Sequence, residues 1–216
     1  MKFKYLVIVL AVGCLMLLYL LSLFSQPTTI ALSSLPEHEG QQVIVLGVVT
    51  DYRATTSGSQ IISIKDSENS SEEIINLFIE GETQVDYGDI IQATGIVQQY
   101  KNEWELVVNN PRYVIILQKW NSSVCPLWQL AENPDKYLDT NVNVTGVAGQ
   151  VSKSSFSLND FQEKYSIIVY YESSCPHLFS QGDTIAVGAR FVYDAATFQF
   201  VLRATEKNHG IWHLEG

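Results

Sequence analysis

Gly88-Asp-Ile-Ile-Gln-Ala-Thr-Gly-Ile-Val97 and Gly182-Asp-Thr-Ile-Ala-Val-Gly-Ala-Arg-Phe191 are two versions of one phrase, about 94 residues apart in a chain of 216. Each opens on Gly-Asp, a turn pair, and continues as an apolar run of strand length. Reading outward, the repetition holds on both sides. Gln42-Val-Ile-Val-Leu-Gly-Val-Val49 corresponds to 142–151, and Ile62-Ser-Ile-Lys-Asp66 to Phe156-Ser-Leu-Asn-Asp160. Ile74–Ile79 corresponds to 165–171, and Trp104–Val108 to Phe198–Leu202. An internal repeat fixes the structural unit before any fold is named. Here the unit is a set of five short β-rich runs separated by Gly, Asn and Asp turns, with no sustained helical period.

The fold class expected is therefore all-β: two tandem small barrels, at 41–118 and 141–208. Residues 26–40 read as a linker, 119–140 as a second linker with a short helical turn at Pro134–Leu138, and 209–216 as a tail. Gly47 and Gly146 are expected to let a long first strand bend and serve both sides of its barrel.

The order of these signals, G-x-V, then S-I/L-K/N-D, then G-D-x-I-x-x-x-G, resembles the OB-fold, a five-stranded Greek-key barrel that binds oligonucleotides or oligosaccharides. Over Gln41–Leu117 the first copy is similar to the anticodon-binding type of OB domain. That resemblance implies bases stacked on aromatics and phosphates tracked by cations. Tyr52, Arg53 and Trp104 form the candidate ligand face, with Phe78, Tyr100, Lys65, Lys101 and Arg112 as further stacking or charged groups.

The second copy resembles the haem chaperone family of cytochrome c maturation. It does so at Val169, Tyr171, Pro176, Leu178, Phe179, Gly182, Gly188, Val201 and Leu202. The resemblance implies haem as a cofactor. Thr205 stands where the family bonds haem covalently and has neither imidazole nor thiolate. His209 stands at the family's axial-ligand position, and His213 follows four residues later as a second candidate.

Charge narrows the partners. The chain carries 13 basic and 23 acidic residues, and residues 30–118 alone hold four basic and 13 acidic. Such a field repels polyanions, which argues against nucleic acid and leaves single-stranded DNA or RNA as the alternative ligand. From Tyr5 to Phe24 runs YLVIVLAVGCLMLLYLLSLF, without charge or proline, the length a helix needs to cross hydrocarbon. Residues 1–25 thus read as a single-pass anchor, inserted through 5–24. Lys2 and Lys4 precede the run, which places the N-terminus in the cytoplasm and the body outside it. A membrane or secreted protein partner fits that placement.

Cys125 and Cys175 are expected either to pair in an oxidising exterior or to stand as two buried thiols. No metal site is expected: the acidic stretch 66–73 lacks the spacing of a calcium loop. No nucleophile elbow, P-loop, H-E-x-x-H or paired C-x-x-C occurs, and the chain reads as a non-enzymatic binding or assembly protein, with haem or cytochrome biogenesis as its setting.

Overall fold

A computed structural model describes residues 2–24, 26–66, 74–172 and 179–214, and, within the first of these, the side chains of Tyr5, Val7, Ile8 and 10–19. The chain opens with helix α1 (Lys2–Phe24). The first barrel follows with β1 (Thr28–Thr29), β2 (Gln42–Ala54), β3 (Gln60–Lys65), β4 (Ile74–Ile79), β5 (Ile90–Tyr100), β6 (Glu103–Val108) and β7 (Val114–Gln118). A connector holds β8 (Cys125–Pro126) and two short helices, α2 (Leu127–Glu132) and α3 (Pro134–Tyr137). The second barrel comprises β9 (Thr140–Val151), β10 (Ser155–Asn159), β11 (Ser166–Tyr171), β12 (Thr184–Asp194), β13 (Gln199–Ala204) and β14 (Gly210–His213).

The hydrogen-bonded order of the first barrel is β2-β3-β4-β6-β5, and β5 returns to β2 to close the ring. The second repeats it as β9-β10-β11-β13-β12, closed by β12 on β9. In both, neighbours are antiparallel except the third and fifth barrel strands, β4 with β6 and β11 with β13, which run parallel. Two closed five-stranded barrels with this crossover make the chain all-β in its body and give each half OB topology. Alternation does the rest. Val43, Val45, Ile62, Ile64, Leu77, Ile91 and Leu106 fill one interior, and Val144, Phe156, Leu158, Val169, Val187 and Leu202 fill the other.

The repeated Gly-Asp pair builds the same turn twice. Gly88 and Gly182 sit at φ +86° and +95°, where a side chain is strained. Their N–H groups donate to the carbonyls of Val49 (2.8 Å) and Ala148 (2.7 Å). The aspartates that follow accept through Oδ2 from N–H groups three residues back, Asp86 to Asp89 at 2.9 Å and Ser180 to Asp183 at 2.6 Å. Gly47 and Gly146 lie where the first strand crosses the second. A Cβ there would come within 2.9 Å of the Lys65 carbonyl and 2.5 Å of the Asn159 carbonyl.

Both stretches read as linkers, and the stretch read as a tail, carry regular structure. Within 26–40, β1 pairs with β2, and the 3-10 segment Leu32–His38 buries Leu32 and Leu35 in the first core. Within 119–140, Leu127 and Leu130 of α2 join the second core. Within 209–216, β14 pairs antiparallel with β12, His213 opposite Ile185.

The described side chains of α1 are all exposed, including Leu10, Val12 and Leu15 through Tyr19. Counted over the described residues, no helix is long and apolar enough to cross a membrane.

Candidate functional site

Strand parity decides which side chains reach a ligand. Up to Val49, alternate residues of β2 point inward; a bulge between Val49 and Asp51 then shifts the phase by one. Tyr52 therefore turns inward against the first core, opposite buried Ile62, while Arg53 turns outward opposite Ile61. Trp104 shares the inward phase of Leu106 and Val108 and packs on the same core. The candidate face Tyr52, Arg53 and Trp104 is thus divided, and Arg53 alone of the three faces out.

The outward row to which Arg53 belongs runs Arg53, Ile61, Phe78, Val107 across β2, β3, β4 and β6. This is the sheet surface that OB domains use, flanked by the loops after the first and fourth barrel strands. Phe78, the fifth residue of six in β4, is half-buried there. The second barrel repeats the arrangement. Tyr170, the fifth residue of six in β11, lies half-buried in the row Ser155, Tyr170, Arg203. The Arg203 guanidinium is 5.9 Å from the Tyr170 ring centroid, with Asp194 at 3.6 Å. Each barrel so presents one aromatic at the same strand position, with an arginine in its row.

The hairpins joining fourth to fifth strands border these rows and carry exposed aromatics. In the first, Lys101 and Asn102 make a two-residue turn at φ +50° and +68°, and Lys101 Nζ lies 5.1 Å from the Tyr100 ring. In the second, Phe198 is 79% exposed at φ +55°. A bulky residue held in the left-handed region with its ring in solvent is a site to explain by contact rather than by packing. The sequence pattern puts Phe198 at the start of a strand, and its position between Thr197 and Gln199 carries no local signal of an exposed turn.

A polar seam joins the barrels. Asp89 is fully buried there, and its carboxylate accepts from Lys119 Nζ (2.8 Å) and the Trp120 N–H (3.1 Å). Burial opposes the charge on Lys119, but its bonds to Asp89 and Asp86 outweigh that and hold its pKa above the ordinary lysine value. Lys65 Nζ donates to the carbonyls of Asp135 (3.1 Å) and Leu138 (2.9 Å), and burial lowers its pKa. Arg190 stacks 3.5 Å from the Tyr87 ring centroid, and Tyr87 meets Tyr52 at 4.8 Å. These cations are engaged within the protein.

His209 lies in this seam, not in a free tail. Its side chain is 1% exposed, its Nδ1 accepts from the Glu206 N–H at 3.1 Å, and its Nε2 is buried without a hydrogen bond, 3.7 Å from Glu206 Oε2. Desolvation lowers its pKa, helped by Arg190 and opposed by Glu206, the Arg203 backbone and Asp86. A haem iron needs an open approach to that nitrogen, and none exists. His213 sits on extended β14 with its Nε2 3.5 Å from Asp183 Oδ2, so four residues of strand, about 13 Å, part the two histidines. They cannot ligate one iron, and the haem reading of His209 and His213 does not fit the geometry.

Cys125 is a free, half-buried thiol that burial pushes up to about 11. Cys175, and with it the proposed pairing, lies outside the described residues, as do Pro176 and Leu178. Among the described residues no group of three or more His, Cys, Asp or Glu converges on a metal position. An apolar cleft of about 530 Å³ opens beside α2, lined by Leu130, Ala131, Pro134, Tyr165, Phe191 and Phe200.

Neither a family model nor a curated protein matches the chain. Similar solved structures include asparaginyl-tRNA synthetase from Pyrococcus horikoshii, 17% identical over 42% of this chain and 23% of that one, with a TM-score of 0.34. They also include an OBody bound to hen egg-white lysozyme, 19% identical over 39% of this chain and 86% of that one, TM-score 0.29. A murine DNA binding protein bound with double-stranded DNA is 9% identical over 80% of this chain and 96% of that one, TM-score 0.35. The matched part spans under a quarter of the synthetase's length. Likeness at this level assigns no ligand, and the OB topology rests on the strand order itself.

Proposed function

We propose that this chain is a membrane-tethered, non-enzymatic binding protein whose two OB barrels take single-stranded nucleic acid across Phe78 and Tyr170. The observation that carries the reading is the duplicated outward aromatic, Phe78 and Tyr170, each with an arginine in its row: Arg203 directly beside Tyr170, and Arg53 two strands from Phe78. An aromatic ring offers every base a stacking face, and an arginine in its row meets the adjoining phosphate. Exposed Tyr100 and Phe198 extend both faces along the hairpins.

The acidic composition shapes this binding. Lys65, Lys119 and Arg190 are engaged in the seam, so few cations are left for phosphates. Stacking supplies most of the affinity, and two neutralised phosphates give a salt slope of only about −1.4. Titrating the detergent-solubilised chain with a labelled single strand, first at low salt and then at rising salt, tests this. Binding with a shallow slope supports the reading, and no binding at low salt withdraws it.

Tethering is supported by α1. The run Tyr5–Phe24 carries no charge and no proline, the composition a bilayer anchor needs. Its described side chains are exposed, as those of a helix covered by lipid would be. Lys2 and Lys4 favour the cytoplasmic side for its start, with the barrels beyond the bilayer.

A second reading, a protein partner, is favoured by the net charge of −10 and by the apolar cleft beside α2. It stands if the titration fails.

A further inference from the structure

The outer surface of the first barrel on the β2, β5 and β7 side is uncharged where the rest of the chain is acidic, its aliphatic residues interleaved with Gln42, Gln92 and Thr94. Outward positions follow the pleat: Ile44 and Leu46 on β2, Ile96 on β5, Ile115 and Leu117 on β7. Leu46 lies opposite Gln92, and Gln92 opposite Ile115, so the three strands present one continuous face. Leu46, Ile96, Ile115, Leu117 and Tyr113, just before β7, are 36% to 50% exposed. In a chain with 23 acidic residues, no outward position of β2 from Gln42 to Val48, of β5 from Ile90 to Ile96, or of β7 is charged. Uncovered aliphatic area of this kind favours burial by about 25 cal/mol per Å².

The tether ends beside this face. Helix α1 stops at Phe24, and Thr28 and Thr29 are already paired with Val43 and Ile44 of β2. Four residues of extended chain reach at most about 14 Å. Ile44, next to the attachment point, is itself outward. Around the ring, β4 with Phe78 is two strands from both β2 and β5, across the barrel from their shared edge.

We propose that the β2–β5–β7 face of the first barrel rests on the lipid surface of the bilayer that holds α1. This rests on the reading of α1 as a membrane anchor. The short connection supplies a high local concentration of lipid, and the uncharged, aliphatic-rich face meets the interface without desolvating an ion. Tyr113 adds an aromatic suited to headgroup depth. The barrel is then held in one orientation, with Phe78 of β4 turned to the aqueous side.

The test uses the full chain in phosphatidylcholine vesicles, with Cys14, Cys125 and Cys175 replaced by serine and a nitroxide placed through Ile115→Cys or, separately, Leu117→Cys. Phe161→Cys, exposed on the second barrel, is the aqueous reference. The proposal expects collision with a water-soluble nickel chelate to be several-fold lower at both first-barrel sites than at the reference, with oxygen collision higher, at every lipid-to-protein ratio. Equal nickel access at all three sites, in chains that resist alkaline carbonate extraction, overturns the proposal and leaves the anchor standing. Protection seen only at high protein density, with spin–spin broadening, assigns the face to a second copy and also overturns it. Chains stripped off by carbonate refute the anchor, and this inference with it.

Discussion

The imidazole of His209 stands edge-on to the indole of Trp120, ring centroids 5.9 Å apart and planes at 88°. Trp120 belongs to the connector and His209 to the end of the second barrel, so the contact closes the seam between the two halves. Glu206, Asp86 and Arg190 are the charged groups that face the ring. Because burial holds the folded pKa below the ordinary 6.5, the unfolded chain takes up a proton that the folded chain refuses. The contribution is complete above about pH 6.5 and is lost as pH falls from there toward the folded value. Thermal unfolding between about pH 7 and pH 5 should show a larger fall in Tm for the native chain than for His209→Gln. Parallel profiles for the two would count against a neutral buried imidazole.

Asp89 and Asp183 occupy the same turn, but only Asp89 also receives the seam. Lys119→Met leaves the Asp89 carboxylate buried without its cation and should cost about 3 kcal/mol, lowering Tm by about 6–12 °C. Asp183→Ala removes a partly exposed carboxylate and should cost about 1 kcal/mol. Calorimetry on the two variants checks the ratio; equal losses would mean that the seam adds no stability.

Turn chemistry is local, and so Gly88-Asp89 and Gly182-Asp183 were readable as the entry to the fourth strand, and with them the repeat and both barrels. The bulge at Thr50 was not. No residue type marks it, and a one-residue phase change sends Tyr52 inward and Arg53 outward. Phe78 was readable only as an aromatic of the first copy, because Ile74-Ile-Asn-Leu-Phe-Ile79 is apolar at five of six positions and does not show which side faces out, and Tyr170 needed the β11–β13 register to show its equivalence. His209 looked exposed because its cover, Trp120, comes from about 90 residues away in sequence. Nor does local periodicity announce β14, a four-residue strand that exists only through pairing with β12.

Cys125 offers a chemical readout of the connector. With its thiol pushed up to about 11 by burial, almost none is thiolate at neutral pH. Alkylation by iodoacetamide, followed by mass spectrometry, should leave Cys125 unmodified in the folded chain and modify it fully in denaturant. Rapid modification under native conditions would show that α2 and β8 open readily.

The duplicated aromatic rows carry the account, and single-strand affinity at low salt measures them most directly. Loss of one stacking ring is expected to cost about 1–3 kcal/mol, so Phe78→Ala and Tyr170→Ala should each weaken binding by about five- to 150-fold. The double variant should bind more weakly than either while still unfolding cooperatively. A native chain that binds the strand as tightly as the double variant, or a native chain that binds no strand at all, contradicts the account.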